Sequence, residues 1–176
     1  DWINQGSFVP GSSAVWLTGN AASTVQGATT FWDFGSTVPG TPITFEAGKV
    51  QEILGTTTLR GDMGNLILLR SSVPGQQFSL LTSQQTIVRY AAFNDAWIRG
   101  PPLVPLNAQN AGNNTGIDFS LAGPVWTGSG GSLAWSNALN WDGGFAPGTF
   151  DLVRFSPSSQ LSAPNSLVDS SFSGTI

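Results

Sequence analysis

Short runs in which apolar and polar residues alternate recur along the first two thirds of the chain, at Ala14 to Leu17, Thr29 to Phe34, Ile43 to Phe45, Thr56 to Leu59, Leu66 to Leu69, Phe78 to Leu81 and Thr86 to Phe93. A period of two sends successive side chains to opposite faces of a strand. The alternation of Ile87, Arg89, Ala91 and Phe93 against Val88, Tyr90 and Ala92 therefore predicts a strand across Thr86 to Phe93. Gly, Asn, Ser or Pro bounds most of these runs. Pro-Gly pairs at Pro10-Gly11, Pro39-Gly40, Pro74-Gly75 and Pro147-Gly148 predict type II turns, because proline presets φ at the second turn position and glycine supplies positive φ at the third. The first three pairs follow a valine, and Gly27-Ala28-Thr29-Thr30-Phe31 is echoed by Gly55-Thr56-Thr57-Thr58-Leu59. Such loose repetition falls in the range of solenoid repeats.

Two β architectures fit this pattern. An antiparallel β-sandwich calls for tight hairpins, of which Asp142-Gly143 is the one Asp-Gly example. A parallel β-helix calls for open corners and short apolar strands stacked coil on coil. The pattern favours a right-handed parallel β-helix (β-solenoid) over about residues 5 to 120, with the antiparallel sandwich as the alternative. Five or six coils at ~4.7–4.9 Å each would make a stack on the order of 25–30 Å long. Asn107, Asn110, Asn113 and Asn114 fit either solenoid corners, where asparagine tolerates left-handed backbone and bonds a neighbouring coil, or a solvated loop. Asn113-Asn114-Thr115 matches a glycosylation sequon by form alone.

The texture changes at Ala122-Gly123-Pro124, which divides the chain into solenoid coils over 1–122 and a Trp/Gly-rich β module with terminal strands over 123–176. Gly128 to Gly131 predicts a hairpin turn, and a strand is expected at Asp151 to Phe155. Trp126, Trp135 and Trp141 have two readings: a sugar-binding platform with exposed ring faces, or large apolar rings lying against the solenoid.

Composition agrees with an all-β fold. The 176 residues include 22 Gly and 11 Pro but one Met and few Glu or Lys, so strong helix formers are scarce. Only 9% of residues are charged, against about 25% in ordinary soluble domains, which leaves a mostly neutral polar surface. The chain has no His and no Cys, which removes Ser/His/Asp and Cys/His nucleophilic sites, N/S zinc sites, iron–sulfur clusters and disulfides. With a net charge of −4 and scattered basic residues, no nucleic-acid partner is expected. No apolar run reaches the ~18–20 residues of a membrane span. No signal peptide is visible, and the chain opens at Asp1, as a processed product or an excised segment would.

The candidate acids are Asp33, Glu46, Glu52, Asp62, Asp95, Asp118, Asp142, Asp151 and Asp169. Asp95 with Arg89 and Arg99 is the nearest approach to a glycosidase or lyase constellation, and its spacing is not diagnostic. No Asp-x-Asp-x-Asp run or glycine–aspartate nonapeptide marks a calcium site. The expectation is a noncatalytic chain without a cofactor.

Trp126-Thr127-Gly128, Trp135, Asn140-Trp141, Pro147-Gly148 and Asp151-Leu152-Val153-Arg154-Phe155 follow one another in an order that resembles the repeat units of bacterial autotransporter passengers and related surface proteins. Residues 59 to 119, with Gly64-Asn65-Leu66-Ile67, Leu69-Arg70-Ser71, Val88-Arg89-Tyr90 and Gly112-Asn113-Asn114-Thr115-Gly116, are similar to a segment of very large secreted β-helical bacterial proteins. Gly6 to Gly11, Val15 and Thr29-Thr30-Phe31 look like the coils that precede it. The resemblance implies a parallel β-solenoid outside the cell or on the bacterial surface, with no catalytic residues to carry over. In such proteins these segments are internal to far longer chains, so the resemblance leaves open whether this is a fragment or a short subunit.

A solenoid end is a row of unpaired backbone groups over an apolar core. The segments Asp1-Trp2-Ile3 and Ser171 to Ile176 carry strand-forming apolar residues where caps are expected. Trp2, Ile3, Phe172 and Ile176 are accordingly the expected assembly interface of a homo-oligomer or filament. Removal of Phe172 to Ile176 is expected to abolish polymerisation and leave the folded unit intact. Glycans are the alternative partner, as for a carbohydrate-binding module of a secreted protein.

Overall fold

A computed structural model of the chain describes residues 1–84, 86–120, 123–148, 151, 153–155 and 166–173. The chain opens with β1 (Trp2–Ile3) and β2 (Ala14–Trp16) and then repeats one itinerary. The first pass is β3 (Ser23–Gln26), β4 (Thr29–Phe31) and β5 (Asp33–Ser36), and the second is β6 (Pro42–Phe45), β7 (Val50–Ile53) and β8 (Thr57–Arg60). The third is β9 (Ile67–Ser71), β10 (Phe78–Thr82) and β11 (Thr86–Arg89). β12 (Ala91–Asn94), β13 (Ala96–Arg99) and β14 (Gln109–Asn110) follow.

These strands fall into three sheets. The first has the order β1-β3-β6-β9-β12-β14, the second β4-β7-β10-β13 and the third β2-β5-β8-β11. Each strand lies on its counterpart from the previous pass, and every pairing is parallel. Bridges Arg89–Leu106, Trp97–Thr115 and Leu103–Ile117 carry the stacking past β13. At ~4.7–4.9 Å per strand the six-stranded sheet spans on the order of 25 Å. The fold is all-β with stacked parallel sheets, consistent with the expected parallel β-helix. The parallel ladders exclude the antiparallel sandwich.

Parallel stacking turns equivalent positions into ladders. In the first sheet Ser23, Ile43, Leu69 and Phe93 lie in register, and all four are buried. In the second, Thr29, Gln51, Leu80 and Ile98 do the same. In the third, Ser36, Leu59 and Val88 point inward. One apolar cluster runs from Leu17 to Ala108, including Phe45 stacked on Phe78 at 4.5 Å. Each fully buried Phe, Leu or Ile stabilises the stack by ~1.5–3 kcal/mol.

Two expected strands are each divided in two. Thr29 to Phe34 breaks at Trp32, and Thr86 to Phe93 breaks at Tyr90, whose φ of 50° turns the chain from the third sheet into the first. The corner shifts the parity, so Val88 faces the core together with Ala91 and Phe93 rather than opposite them. Gly11, Gly40 and Gly75 have the positive φ expected after proline, whereas Gly148 is not among the left-handed glycines. The echoes do not stack. The three Val-Pro-Gly corners lead into β2, β6 and β10, in three different sheets, and Thr29–Phe31 belongs to the second sheet while Thr57–Arg60 belongs to the third. Passes differ in length, with Thr58 paired to Ile87 but Arg89 to Leu106, because open corners absorb extra residues while only strand register must match.

A second apolar cluster holds Trp126, Trp135 and Trp141. Here β15 (Val125–Trp126) pairs in parallel with β16 (Arg154–Phe155), the observed part of the strand expected from Asp151. Gly128 and Gly131 take positive φ in the turn expected between the tryptophans, and Trp126 bridges Trp141 antiparallel. The buried Asn140 side chain shapes that loop, accepting from Gly130 N–H and donating to the Ser132 and Ala134 carbonyls. Among the described residues no helix is long and apolar enough to cross a membrane.

Candidate functional site

All ten Asp and Glu side chains accept hydrogen bonds from within the protein, and all but Glu52 bind a backbone N–H. Most of these bonds join one pass to another. Glu46 accepts from Gly27 N–H at 2.7 Å, Asp33 from Thr56 N–H at 2.6 Å and Asp142 from Val125 N–H at 2.8 Å. Glu52 accepts from the Thr30 hydroxyl beside it in the second sheet. An open corner leaves N–H groups without ladder partners, and a short carboxylate reaching across the stack satisfies them.

Asp95 illustrates the arrangement. It is buried at the β12–β13 corner with φ 57°, and its carboxylate accepts from Gly75 N–H at 3.1 Å and from Asn113 Nδ2 at 2.6 Å. Its expected partners lie elsewhere: Arg89 is exposed, and the Arg99 guanidinium sits 4.7 Å over the Trp97 ring. The candidate acid with two arginines is thus a corner fastening.

Of the asparagines of 107 to 116, Asn107, Asn113 and Asn114 take the corner reading, whereas Asn110 belongs to β14. Asn107 and Asn113 have φ of 49° and 52°, and Asn114 donates to the Phe93 carbonyl and accepts from Ala96 N–H. Asn94 adds bonds to the Ala111 and Gly112 carbonyls. The sequon amide of Asn113 is the one held by Asp95. Among the described residues no group of three or more His, Cys, Asp or Glu could hold a metal ion.

Two environments move carboxyl pKa values apart. Burial pushes Asp151 above the ordinary 3.8, against the opposing bonds from Gly148 and Asn110 N–H and the Gln109 side chain. That carboxylate covers the outer edge of β14, bonding Asn110 N–H at 3.0 Å and so joining the tryptophan module to the stack. Gly64 N–H to Gly143 carbonyl is a second joint. Asp169 is held below the ordinary value, chiefly by the N–H and hydroxyl of Ser136, and Asp118 by Ser120.

The three tryptophans singled out for sugar binding are enclosed. Trp126, Trp135 and Trp141 are 0%, 8% and 1% exposed, packed edge to face at 5.1 and 5.4 Å, so they offer no open ring face. Their cover is also different from the expected one: they lie against one another, Val153 and Phe172 rather than against the solenoid core. The exposed indoles are Trp16, Trp32 and Trp97. Strand alternation could have placed Trp16 and Trp97 outward, whereas Trp32 is exposed because it forms a corner.

The expected assembly residues are divided. Trp2 and Ile3 form β1 at the outer edge of the first sheet. Trp2 turns inward onto Phe8 and Phe31, with its Nε1 donating to Thr29 Oγ1, and Ile3 is exposed. Phe172 packs at 5.4 Å on Trp135, so it belongs to the module core, and removal of Phe172 to Ile176 would uncover that ring. Ile176 lies outside the described residues. Comparison with protein-family models, with curated proteins and with solved structures gives no match.

Proposed function

We propose that the chain is a noncatalytic, right-handed parallel β-helical segment of an extracellular bacterial fibre, surface layer or adhesin, whose copies join end to end by strand or coil addition. The observation that carries this reading is the outer edge of β2, which no strand among the described residues pairs. β2 bonds β5 through Ser13 carbonyl and Leu17 N–H, which turns the backbone groups of Ala14 and Trp16 away from the stack. β1 presents a second edge beside it. The far end differs, with Leu106, Thr115 and Ile117 as its last rungs, so the contact would be heterologous and would propagate. The right hand follows the near-universal handedness of parallel crossovers.

A structural role is supported by the use of the carboxylates as backbone fastenings. The bacterial, extracellular setting rests on the resemblance of the Trp126 to Phe155 segment. Joining through Trp2, Ile3 and β2 replaces the expected joint through Phe172.

Electron microscopy and sedimentation of the concentrated protein should reveal filaments or higher oligomers. Ala14→Pro, which removes an outward N–H at the edge of β2, and Ile3→Lys should each reduce them to monomers with unchanged circular dichroism. A wild-type protein that stays monomeric at high concentration would refute end-to-end joining.

A further inference from the structure

The corner between the second and third sheets lies at the same place on every pass, and it carries an open cleft. Trp32 occupies it on the first pass, Leu54 to Thr56 on the second, Gln84 on the third and Pro101-Pro102 on the fourth. Trp32, Asp33, Leu54, Gly55, Thr56 and Gln84 line a cavity of about 420 Å³. A second cavity of about 250 Å³ shares Gln84 and continues to Pro101, Pro102 and Val104. We propose that this groove is a binding site for a neutral hexose chain, centred on Trp32, and that it operates independently of end-to-end assembly.

The chemistry of the lining points to that ligand class. Trp32 is 39% exposed, and its indole offers an apolar plane for the C–H face of a pyranose. Around it stand polar groups with no partner inside the described chain: the Trp32 Nε1 donor, the second oxygen of Asp33 and the Gln84 amide. Asp33 uses its first oxygen to hold Thr56 N–H, which fixes the carboxylate, and Gly55 N–H bonds the Trp32 carbonyl at 2.7 Å, which fixes the corner. Gly55 is part of the design, since a Cβ there would lie 3.1 Å from Trp32 Nε1. A flat apolar plane flanked by preorganised hydroxyl partners suits a sugar. Asp33 is the one charged residue lining either cavity, so the groove repels anions and gives uronates and phosphates no counter-charge. Two cavities meeting at Gln84 along the stack suit an extended chain rather than a single ring.

Isothermal titration and tryptophan fluorescence with cellotetraose, mannotetraose and β-1,4-galactotetraose test the site, with tetragalacturonate as the charged control. At least one neutral tetrasaccharide should bind saturably at or below about 10 mM, and tetragalacturonate should not. Trp32→Ala and Gln84→Ala should each weaken that binding about tenfold or more, and Trp97→Ala should not. Gln84 is exposed, so its variant keeps the wild-type melting temperature and guards against a folding artefact. Absence of binding to all three neutral sugars, equal binding of tetragalacturonate, or wild-type affinity in either the Trp32 or the Gln84 variant overturns the proposal.

Discussion

Asp95 and Asn113 both stand in the left-handed backbone region, at φ 57° and 52°, and a 2.6 Å hydrogen bond from Asn113 Nδ2 to Asp95 Oδ1 ties the two corners together. Left-handed backbone disfavours residues with a Cβ, but short polar side chains that bond locally reduce the penalty. The bond therefore stabilises two strained corners at once.

Asp95→Ala should destabilise the fold by about 2 kcal/mol, through the loss of its part-buried bonds from Gly75 N–H and Asn113 Nδ2 and the strain of alanine at this φ. Asp95→Asn keeps an acceptor and the tolerance for positive φ, so its loss should be less than half as large. Urea unfolding of the two variants measures the difference.

Gly35 lies beneath Trp16, and a Cβ there would come within 2.5 Å of the Thr58 carbonyl oxygen and 2.7 Å of the Trp16 ring. Gly35→Ala should cost ~1–3 kcal/mol by overpacking and push the indole outward. Thermal melting reports the first effect, and a red shift of tryptophan emission reports the second.

Trp141 is buried and donates its Nε1–H to the Trp135 carbonyl at 2.9 Å. Trp141→Ala should cost ~3–5 kcal/mol within the module. Truncation before Phe172 should make Trp135 accessible to an aqueous quencher; an unchanged quenching constant would show that Phe172 does not cover it.

Asp151 and Asp169 should titrate on opposite sides of 3.8. For Asp151, pushed up by burial, the folded state holds the proton more tightly than the unfolded chain. Its effect on stability is therefore most favourable below 3.8 and declines as pH rises through the raised pKa. For Asp169, pulled down by the Ser136 N–H and hydroxyl, the contribution is complete above 3.8 and is lost as pH falls through the depressed pKa. Carboxyl carbon NMR on the folded protein should give a midpoint above 3.8 for Asp151 and below it for Asp169.

The all-β class was legible in composition, and the strands at Ile43 to Phe45 and Phe78 to Leu81 were legible in alternation, because burial of one strand face is written into neighbouring residues. The asparagine-rich corner was half legible. Its residues tolerate left-handed backbone, but only the approach of Asp95, Phe93 and Ala96 made it a fastening instead of a solvated loop.

The candidate sites were less legible, since they depend on what lies across the stack. Trp126, Trp135 and Trp141 read as packing ahead of a sugar platform, but nothing in the sequence showed that Phe172 would be the cover that encloses Trp135. Asp95 kept its place in the sequence beside Arg89 and Arg99 but turned to Gly75 and Asn113. Trp32 carried no distinguishing signal until Gly55 and Gln84 came alongside it from later passes.

What the sequence alone determined is therefore local: which residues alternate, where proline and glycine permit a turn, and which chemistries lack their side chains altogether. The tertiary structure decided the parity change at Tyr90, the unequal passes, the covered and open tryptophans, and the partner of each carboxylate. The physical reason is that a strand's period comes from its own backbone, whereas register between passes comes from hydrogen bonds between residues far apart in the chain, and open corners let intervening lengths vary without disturbing that register.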